Sequence, residues 1–468
     1  MNKTIEKTPV DTVSQAPVDL SAGISSKARY LLGKLDEKGE AWLVGGAVRD
    51  LLRGTPSTDE DIATSLLPEE TKALFEGLGL TVLDTGLAHG TVSVRLEQQS
   101  FEITTFRVDG NYFDGRHPES VSFVRSLKED LARRDFTVNA MALNKEGKLC
   151  DPFDGQADLK AGLIRAVGDP VRRFEEDSLR LLRAVRFARK LGFRIEEATL
   201  DALRAAAPGI ARVSAERCAA EFLKILEADP DGITDLHEYG LLPWLYPELE
   251  ACFNCPQETP FHRWDVGRHS VEAAKMTDDL TLRIACLCHD LGKVSAKTYG
   301  KDGRAHFYGH EIPSAALTKE LTRKLFLPEA ERRLITRIVA LHNFISERPG
   351  RIARLVREES DDVLRYLPLL QRVDVLAQSE LWRGKKLSRI ERLQTEISRY
   401  QAGPHRLKDL AINGKDLQEL GFTGPEIGEA LDEALDFVML QPARNERERL
   451  LRRALTLRNR QRRKGRSC

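Results

Sequence analysis

The sequence predicts a multidomain α+β protein: an N-terminal α/β unit followed by an almost wholly helical remainder. Three observations carry this. Short β-prone runs, AWLV at 41–44, TVSVRL at 91–96 and SFEITTFRV at 100–108, fall in the first ~165 residues among helix-like stretches such as PEETKALFEGLG. Beyond them, through much of 176–246, apolar residues recur at the three-to-four spacing of a helix face. The length of 468 residues suits two to four domains, and 41% hydrophobic content supplies ordinary cores. Turn-rich breaks at 252–260 (CFNCPQETP), 347–350 (ERPG) and 402–404 (AGP) divide the helical part, and no internal repeat is evident.

With 31% charged residues and no apolar run near ~18 residues, a membrane span is excluded. The first 27 residues lack a basic n-region and an apolar h-region, so they read as a loosely attached, disordered tail and point to the cytoplasm. Seven cysteines imply no disulfide framework, and Cys252 and Cys255 form a lone CxxC that reads as two ordinary thiols. The 72 Lys+Arg balance 72 Asp+Glu, which on its face argues against a nucleic-acid partner. Charge is segregated, however. Residues 444–468 hold eleven Arg/Lys and two Glu, a surplus of +9 that leaves −9 for the rest. A basic end of this kind is either a solvated helix or a phosphate-contacting surface.

Taken in order, the run AWLV leads into Gly45-Gly46-Ala47-Val48-Arg49-Asp50 and a helix-like continuation. Glycines at a strand-to-helix turn let backbone N–H groups approach a phosphate, and Arg49 supplies charge. Thirteen residues after Gly46 comes Asp59-Glu60-Asp61, then Ile62-Ala63. On a strand, Asp59 and Asp61 would share a face and repel unless a divalent cation lay between them. Oxygen ligands suit Mg²⁺; alone, such a pair also reads as a solvated acidic turn. Glu102 is an acid inside a β-like apolar run and calls for a partner there. Three carboxylates, a Gly-Gly turn and an arginine are the parts of two-metal phosphoryl transfer.

Two arginine blocks follow. Arg133-Arg134-Asp135 sets adjacent arginines beside an acid able to orient them. Then Glu176-Asp177-Ser178-Leu179-Arg180 runs into LLRAVRFARKLGF, where Arg180, Arg183 and Arg186 line one helix side and Leu181, Leu182, Val185 and Ala188 are left for packing. Such a stripe is often a solvated face. Asp177 and Arg180 could also present an acceptor and a donor pair to a base edge.

LVGGAVRD, DEDIAT, TGLAHGTVSV, the RRDFTVNAMA block and EEDSLRLLRAVRFA together resemble class II tRNA nucleotidyltransferases of the DNA polymerase beta superfamily. The resemblance runs in order from about 41 to 226, and LAINGKDL with RNERERLLRRALTLRNR is similar to the C-terminal unit of bacterial CCA-adding enzymes. It implies a nucleotidyltransferase head at 28–165, a helical neck at 166–250 and a tRNA-binding tail at 405–468. The implied partners are tRNA, CTP and ATP. Gly46 and Arg49 would bind the triphosphate, Asp59 and Asp61 the catalytic Mg²⁺ with Glu102 as third carboxylate, and Arg134 nucleotide phosphate or ribose. Asp177 and Arg180 would template CTP and then ATP, with Arg183 and Arg186 holding phosphates. The Gly-rich stretch 109–118 reads as a mobile loop that in this family accompanies addition of the terminal A. Complete CCA addition is therefore favoured over A addition after a separate CC-adding enzyme.

A second constellation spans 269–374: His269, Cys288-His289-Asp290-Leu291-Gly292-Lys293, His306, His310, His342 and Asp374. Imidazoles with carboxylates suit a divalent transition metal, and a vicinal His-Asp can bind one ion or bridge two. The order resembles an HD-domain metal phosphohydrolase at 255–400, with His269, His289, Asp290 and Asp374 as defining ligands and His310 and His342 as further candidates. That resemblance implies phosphatase and 2′,3′-cyclic phosphodiesterase activity. A rival reading, an HD phosphohydrolase whose head only binds tRNA, is disfavoured because Gly46, Asp59 and Asp61 are all present.

Overall fold

The computed structural model describes residues 20–464 apart from Pro56, Thr58, 87–89, 110–120 and Phe261. The loop expected at 109–118 thus lies almost wholly outside the described residues, as does the tail before Leu20. The chain divides into two compact units, Met1–Ser214 and Ala215–Cys468.

Order begins ahead of the expected boundary at residue 27. A 3-10 turn at Leu20–Gly23 precedes helix α1 (Ser26–Asp36), and Ile24 is buried. Ser25 caps α1, its Oγ accepting from the Ala28 N–H at 3.1 Å. The buried Glu60 carboxylate in turn accepts from the Ser25 N–H at 3.0 Å and its hydroxyl at 2.5 Å.

The first unit then runs β1 (Ala41–Val44), α2 (Gly46–Leu52), β2 (Ile62–Thr64), α3 (Pro68–Gly77), β3 (Thr81–Gly86), β4 (Thr91–Leu96) and β5 (Gln99–Thr105). After these come β6 (Arg107–Asp109), β7 (Val121–Phe123), α4 (Leu127–Ala132), β8 (Ala142–Leu143), β9 (Leu149–Cys150), α5 (Gly155–Ala161), β10 (Leu163–Ile164), α6 (Pro170–Glu176), α7 (Leu179–Leu191), β11 (Arg194–Ile195) and α8 (Glu197–Ala206). A seven-stranded sheet has the order β3-β4-β5-β2-β1-β8-β9. Leu31, Leu32 and Leu35 of α1 and Phe75 of α3 cover its inner face, packing in one cluster with Leu43, Ile62, Val92, Val94, Phe101 and Ile103. Along β5 the side chains alternate, Phe101, Ile103 and Thr105 buried and Glu102 exposed. Glu102 therefore stands on the open face, where a carboxylate needs no buried partner; the expectation of an acid trapped inside an apolar strand is corrected.

The sheet's pairing positions the site. β2 and β5 run parallel with Ile62 opposite Ile103, so Asp61 and Glu102 occupy the same register position one residue earlier. Asp59 and Asp61 precede β2 and are not on it, contrary to the alternation argument. Asp61 is pinned just ahead of β2, where the Val44 N–H donates to its carbonyl at 3.0 Å.

In the second unit follow α9 (Ala215–Ala228), α10 (Asp231–Glu238), α11 (Leu242–Leu245), α12 (Pro247–Phe253), α13 (Val266–Ala274), α14 (Leu280–Cys288), α15 (Lys293–Ala296), a hairpin of β12 (Thr298–Tyr299) and β13 (Ala305–His306), α16 (Glu311–Lys324), α17 (Glu329–Leu341), α18 (Pro349–Glu358), α19 (Asp361–Ala377) and α20 (Arg383–Gln401). The last three helices are α21 (Gly414–Glu419), α22 (Pro425–Leu440) and α23 (Arg447–Lys464). ERPG opens α18, with Pro349 in the first turn, where its missing N–H costs nothing. The basic α23 is docked: Leu450 and Ala454 are buried, Arg447 meets Asp416 at 2.6 Å, Arg453 meets Glu433 at 3.2 Å, and Arg453 lies 4.1 Å from the Phe437 ring centroid. Part of the terminal charge surplus is thus spent within this unit. Among the described residues no helix is long and apolar enough to cross a membrane.

Ser25→Ala removes both the α1 cap and a partner of buried Glu60. The expected loss is about 1–2 kcal/mol, read as a lower urea midpoint by circular dichroism; an unchanged midpoint contradicts the assignment.

Candidate active sites

In the first unit, Gly45 makes the turn out of β1 with φ of 71°, a left-handed conformation only glycine adopts cheaply. A Cβ there would meet Arg134 Nη1 at 3.0 Å, and one on Gly46 would meet Arg49 Nη2 at 3.4 Å. Guanidinium groups therefore line this turn. Gly45, not only Gly46, is required for it, a point the paired glycines signalled. Arg49 is buried: its Nη1 donates to Asn139 Oδ1 at 2.6 Å, and Nε and Nη2 grip Asp50 at 2.9 and 3.0 Å.

The carboxylates act on one another. The Asp61 carboxyl is pushed up to about 6 by burial, then by the charges of Asp59 and Glu102, against the pull of Arg134. All four groups thus lie in one field. Arg134 has its Nε buried without a hydrogen-bond partner among the described residues, and Nη2 stands 3.4 Å from Asp130 Oδ2. Arg133 donates twice to Asp130 Oδ1, at 2.9 and 2.8 Å. The acid that orients the arginine pair is therefore Asp130, three and four residues earlier on α4, and not the adjacent Asp135. That i,i+3 and i,i+4 spacing was the overlooked signal.

Asp135 turns toward α7. Although burial raises it, Arg183 and the Asn139 amide outweigh that and hold its carboxyl down at about 2. Arg183 Nε donates to Asp135 Oδ2 at 2.8 Å, with Nη2 at 2.5 Å from the same oxygen. Arg180 is buried, its Nη1 on Glu176 Oε2 (2.6 Å) and the Arg173 carbonyl (2.9 Å), its Nη2 on the Arg133 carbonyl (2.9 Å). Arg186 packs over Phe187 at 4.3 Å, and Asp177 Oδ1, two residues ahead of α7, accepts from the Leu179 N–H at 3.0 Å. The arginine stripe is therefore only partly solvated, Arg180 buried and Arg183 and Arg186 half-buried; Leu181, Leu182, Val185 and Ala188 are buried as expected.

In the second unit, the ligand atoms of His269, His289 and Asp374 lie within 4.8 Å of one another, and those of Asp290, His310 and His342 form a like group. Asp290 joins the two. Its Oδ2 is 3.1 Å from His289 Nε2 and 3.8 Å from His269 Nε2, while Oδ1 is 3.1 Å from His310 Nε2 and 3.8 Å from His342 Nε2. Three imidazoles are aimed inward by their other nitrogen: Nδ1 of His289, His310 and His342 bonds the carbonyls of Cys286, Phe307 and Val339 at 2.7, 2.7 and 2.6 Å. His289 Nε2 is buried with no well-formed hydrogen bond among the described residues, as a ligand atom for a cation would be. Burial works against a charged His289, but Asp290 and Asp374 lift it to about 10; burial and His289 push His342 down to about 4. The centre attracts positive charge, and its donors fit a divalent metal.

His306 is not part of either group; it stacks on Tyr308 at 5.2 Å. His262, in the expected 252–260 break's continuation, was missed: its ring lies 5.0 Å from His269, and its buried Nδ1 has no hydrogen-bond partner among the described residues. Cys252 and Cys255 are buried free thiols.

A carboxylate cluster on an open sheet face beside a Gly-Gly turn, joined in one chain to a His/Asp centre, defines a polymerase-type nucleotidyltransferase carrying an HD domain. Residues 41–165 match the poly A polymerase head domain, 192–253 the probable RNA and SrmB-binding site of polymerase A, and 262–378 the HD domain. Such head and HD domains are generally metal-dependent. The crystal structure of the Bacillus stearothermophilus CCA-adding enzyme in complex with CTP is 31% identical, with a TM-score of 0.70 over 94% of this chain and 98% of that one. The chain belongs to the CCA-adding enzyme family. It is 51% identical over 200 residues to the Leuconostoc mesenteroides CCA-adding enzyme (42% of this chain, 49% of that protein). Over 277 residues it is 44% identical to the Geobacillus thermodenitrificans CCA-adding enzyme (58% and 65%). These two matches span about half to two thirds of the relatives' lengths.

Asp61 also sets a pH-dependent test. Its folded pKa lies above the ordinary 3.8, so the metal-free fold holds this proton more tightly than the unfolded chain and loses that contribution as pH rises through about 6. In chelator, Asp61→Asn is expected to be more stable than the parent at pH 7–8, by on the order of 1 kcal/mol, and to converge with it toward pH 4. Parallel melting curves at all pH values contradict the crowding of the three carboxylates.

Proposed function

We propose that this protein builds CCA on tRNA 3′ ends from CTP and ATP without a nucleic-acid template. The observation that carries it is the convergence of Asp59, Asp61, Glu102 and Arg134 beside the Gly45-Gly46 turn. Asp59 and Asp61, with Glu102 beside them, would hold Mg²⁺. A bound Mg²⁺ would lower the pKa of the attacking 3′ hydroxyl and neutralise the leaving pyrophosphate. Gly46 and the Arg49-lined turn would receive the triphosphate, and Arg134, whose Nε is uncommitted, would meet nucleotide phosphate or ribose. Asp177 and Arg180 are the template pair of this reading. The bonds from Glu176, Arg173 and Arg133 hold the Arg180 guanidinium in one plane, which would preset the donor edge a base meets. Arg183 and Arg186 would add positive field near the phosphates. The parts are a head at 28–165, a neck at 166–250, an HD domain at 255–400 and a tRNA-binding tail at 405–468, acting in the cytoplasm.

The HD centre would hold a divalent transition metal through His269, His289, Asp290 and Asp374, with His310 and His342 offering a second position across Asp290. We assign it phosphatase and 2′,3′-cyclic phosphodiesterase activity.

Asp61→Ala should reduce incorporation of both nucleotides by on the order of 10³-fold while leaving tRNA affinity within about threefold. Surviving incorporation sinks the carboxylate assignment. With CTP alone and tRNA lacking CCA, two added residues are expected; none would mean an enzyme that adds only the terminal A. In contrast, His289→Ala should strip the HD metal and cyclic-nucleotide hydrolysis and spare CCA addition. Metal retention with unchanged hydrolysis would refute the HD assignment.

A further inference from the structure

Among the described residues the HD centre is most open at Asp374. The side chains of His269, His289, Asp290 and His342 are 1–3% exposed and that of His310 10%, whereas Asp374 is 21% exposed. The Asp374 edge is therefore the natural approach for a substrate. One turn later, Gln378 Nε2 donates to Asp374 Oδ1 at 2.9 Å, and Gln378 Oε1 accepts from Lys386 Nζ at 2.5 Å. Lys386 lies in the first turn of α20, outside the residues 262–378 that match the HD domain. That turn is fixed in place: Trp382 has a left-handed φ of 67°, and Arg383 Nη2 donates to the carbonyls of Leu376 and Gln378 at 3.1 and 2.8 Å. From the other side Lys293 Nζ sits 2.6 Å from Asp290 Oδ2 and donates to Gln257 Oε1 at 2.8 Å.

Each ammonium thus stands beside a carboxylate of the centre, Lys293 directly on Asp290 and Lys386 through Gln378 on Asp374. Burial lowers the Lys386 ammonium, against the pull of Asp374, and the charge of Lys293 lowers it further. A tetrahedral oxyanion bound at the metal centre through one oxygen would leave others for ammonium donors.

We propose that Lys386, together with Lys293, binds the phosphate of the HD centre's substrate and selects a dianionic phosphate monoester over a singly charged cyclic diester. The proposal rests on the phosphohydrolase reading of this centre. Lys386 is a substrate-binding residue that the HD fold itself does not supply, delivered by the helix that follows it.

The test uses the full chain loaded with Mn²⁺ and inorganic phosphate as probe, titrated by calorimetry. Lys386→Ala should weaken phosphate binding roughly tenfold, Lys386→Arg should restore most of it, and metal content and melting temperature should not change. For hydrolysis, KM for a 3′-nucleotide monoester should rise roughly tenfold while that for a 2′,3′-cyclic nucleotide moves less than about threefold. Phosphate affinity indifferent to Lys386, or lost only together with the metal, overturns the proposal, and so does a parent protein that binds no phosphate. Hydrolysis that persists beside indifferent phosphate binding rejects the Lys386 role and keeps the phosphohydrolase reading. Lys386-dependent phosphate binding without hydrolysis of either ester does the reverse.

Discussion

The parallel pairing of β2 with β5 is the constraint from which the head's chemistry follows. It sets Asp61 level with Glu102, and the short segment before β2 brings Asp59 to the same place. Three carboxylates gathered there repel, as the raised Asp61 carboxyl records. The sheet can hold them because its other face supplies the stability: Phe101 and Ile103, flanking Glu102, are buried under α1 and α3. Strand alternation thus separates the costly face from the face that offsets it. A one-residue slip of β5 would bury Glu102 and expose both neighbours.

Around that cluster, acids ration the arginines. Asp130 takes Arg133 and stands near Arg134, Asp135 takes Arg183, and Glu176 takes Arg180. Asn139 bridges Arg49 and Asp135, donating to Asp135 Oδ1 at 3.1 Å. Bidentate and backbone-anchored guanidiniums have few rotamers left, so their donors are presented in fixed directions. Positive charge is therefore held around the carboxylate cluster without a flexible, mutually repelling set of side chains.

Much of this was legible in the sequence. The β-prone runs at 41–44, 91–96 and 100–108 became β1, β4, and β5 with β6, and the 3.6-residue period marked α3 and α7. Residue type and order brought out the carboxylates, and the histidines could be enumerated before their geometry was known. What periodicity could not convey was which way a polar side chain turns. Asp135 is adjacent in sequence to Arg134, yet its partner is Arg183, 48 positions away. Arg180 and Arg186 have helical spacing suited to solvent, yet the helix is covered on nearly every side. His262 lies in irregular chain, where no period applies, and only tertiary packing carries it to His269. Lys386 escaped for the same reason, since a lysine on a predominantly polar helix reads as solvated until α19 and α20 are seen to fold against each other.

The two centres solve one electrostatic problem with different donors. In the head, carboxylate oxygens gather on the open face of the sheet, at its central strands β2 and β5, an oxygen set of the kind that suits a hard cation keeping its waters. In the second unit, imidazoles pinned through Nδ1 enclose a nearly sealed space, suited to a cation that stays. Asp290 is the element that makes the second arrangement possible: placed between two groups, it neutralises both with one carboxylate, so the interior holds fewer anions than two separate sites would need. The same economy accounts for the zero net charge of the chain. Acids are concentrated at the two carboxylate-bearing centres and arginines around the head's cluster and in the terminal helix, so the total says nothing of either; what a charged ligand meets is the sign of the local surface.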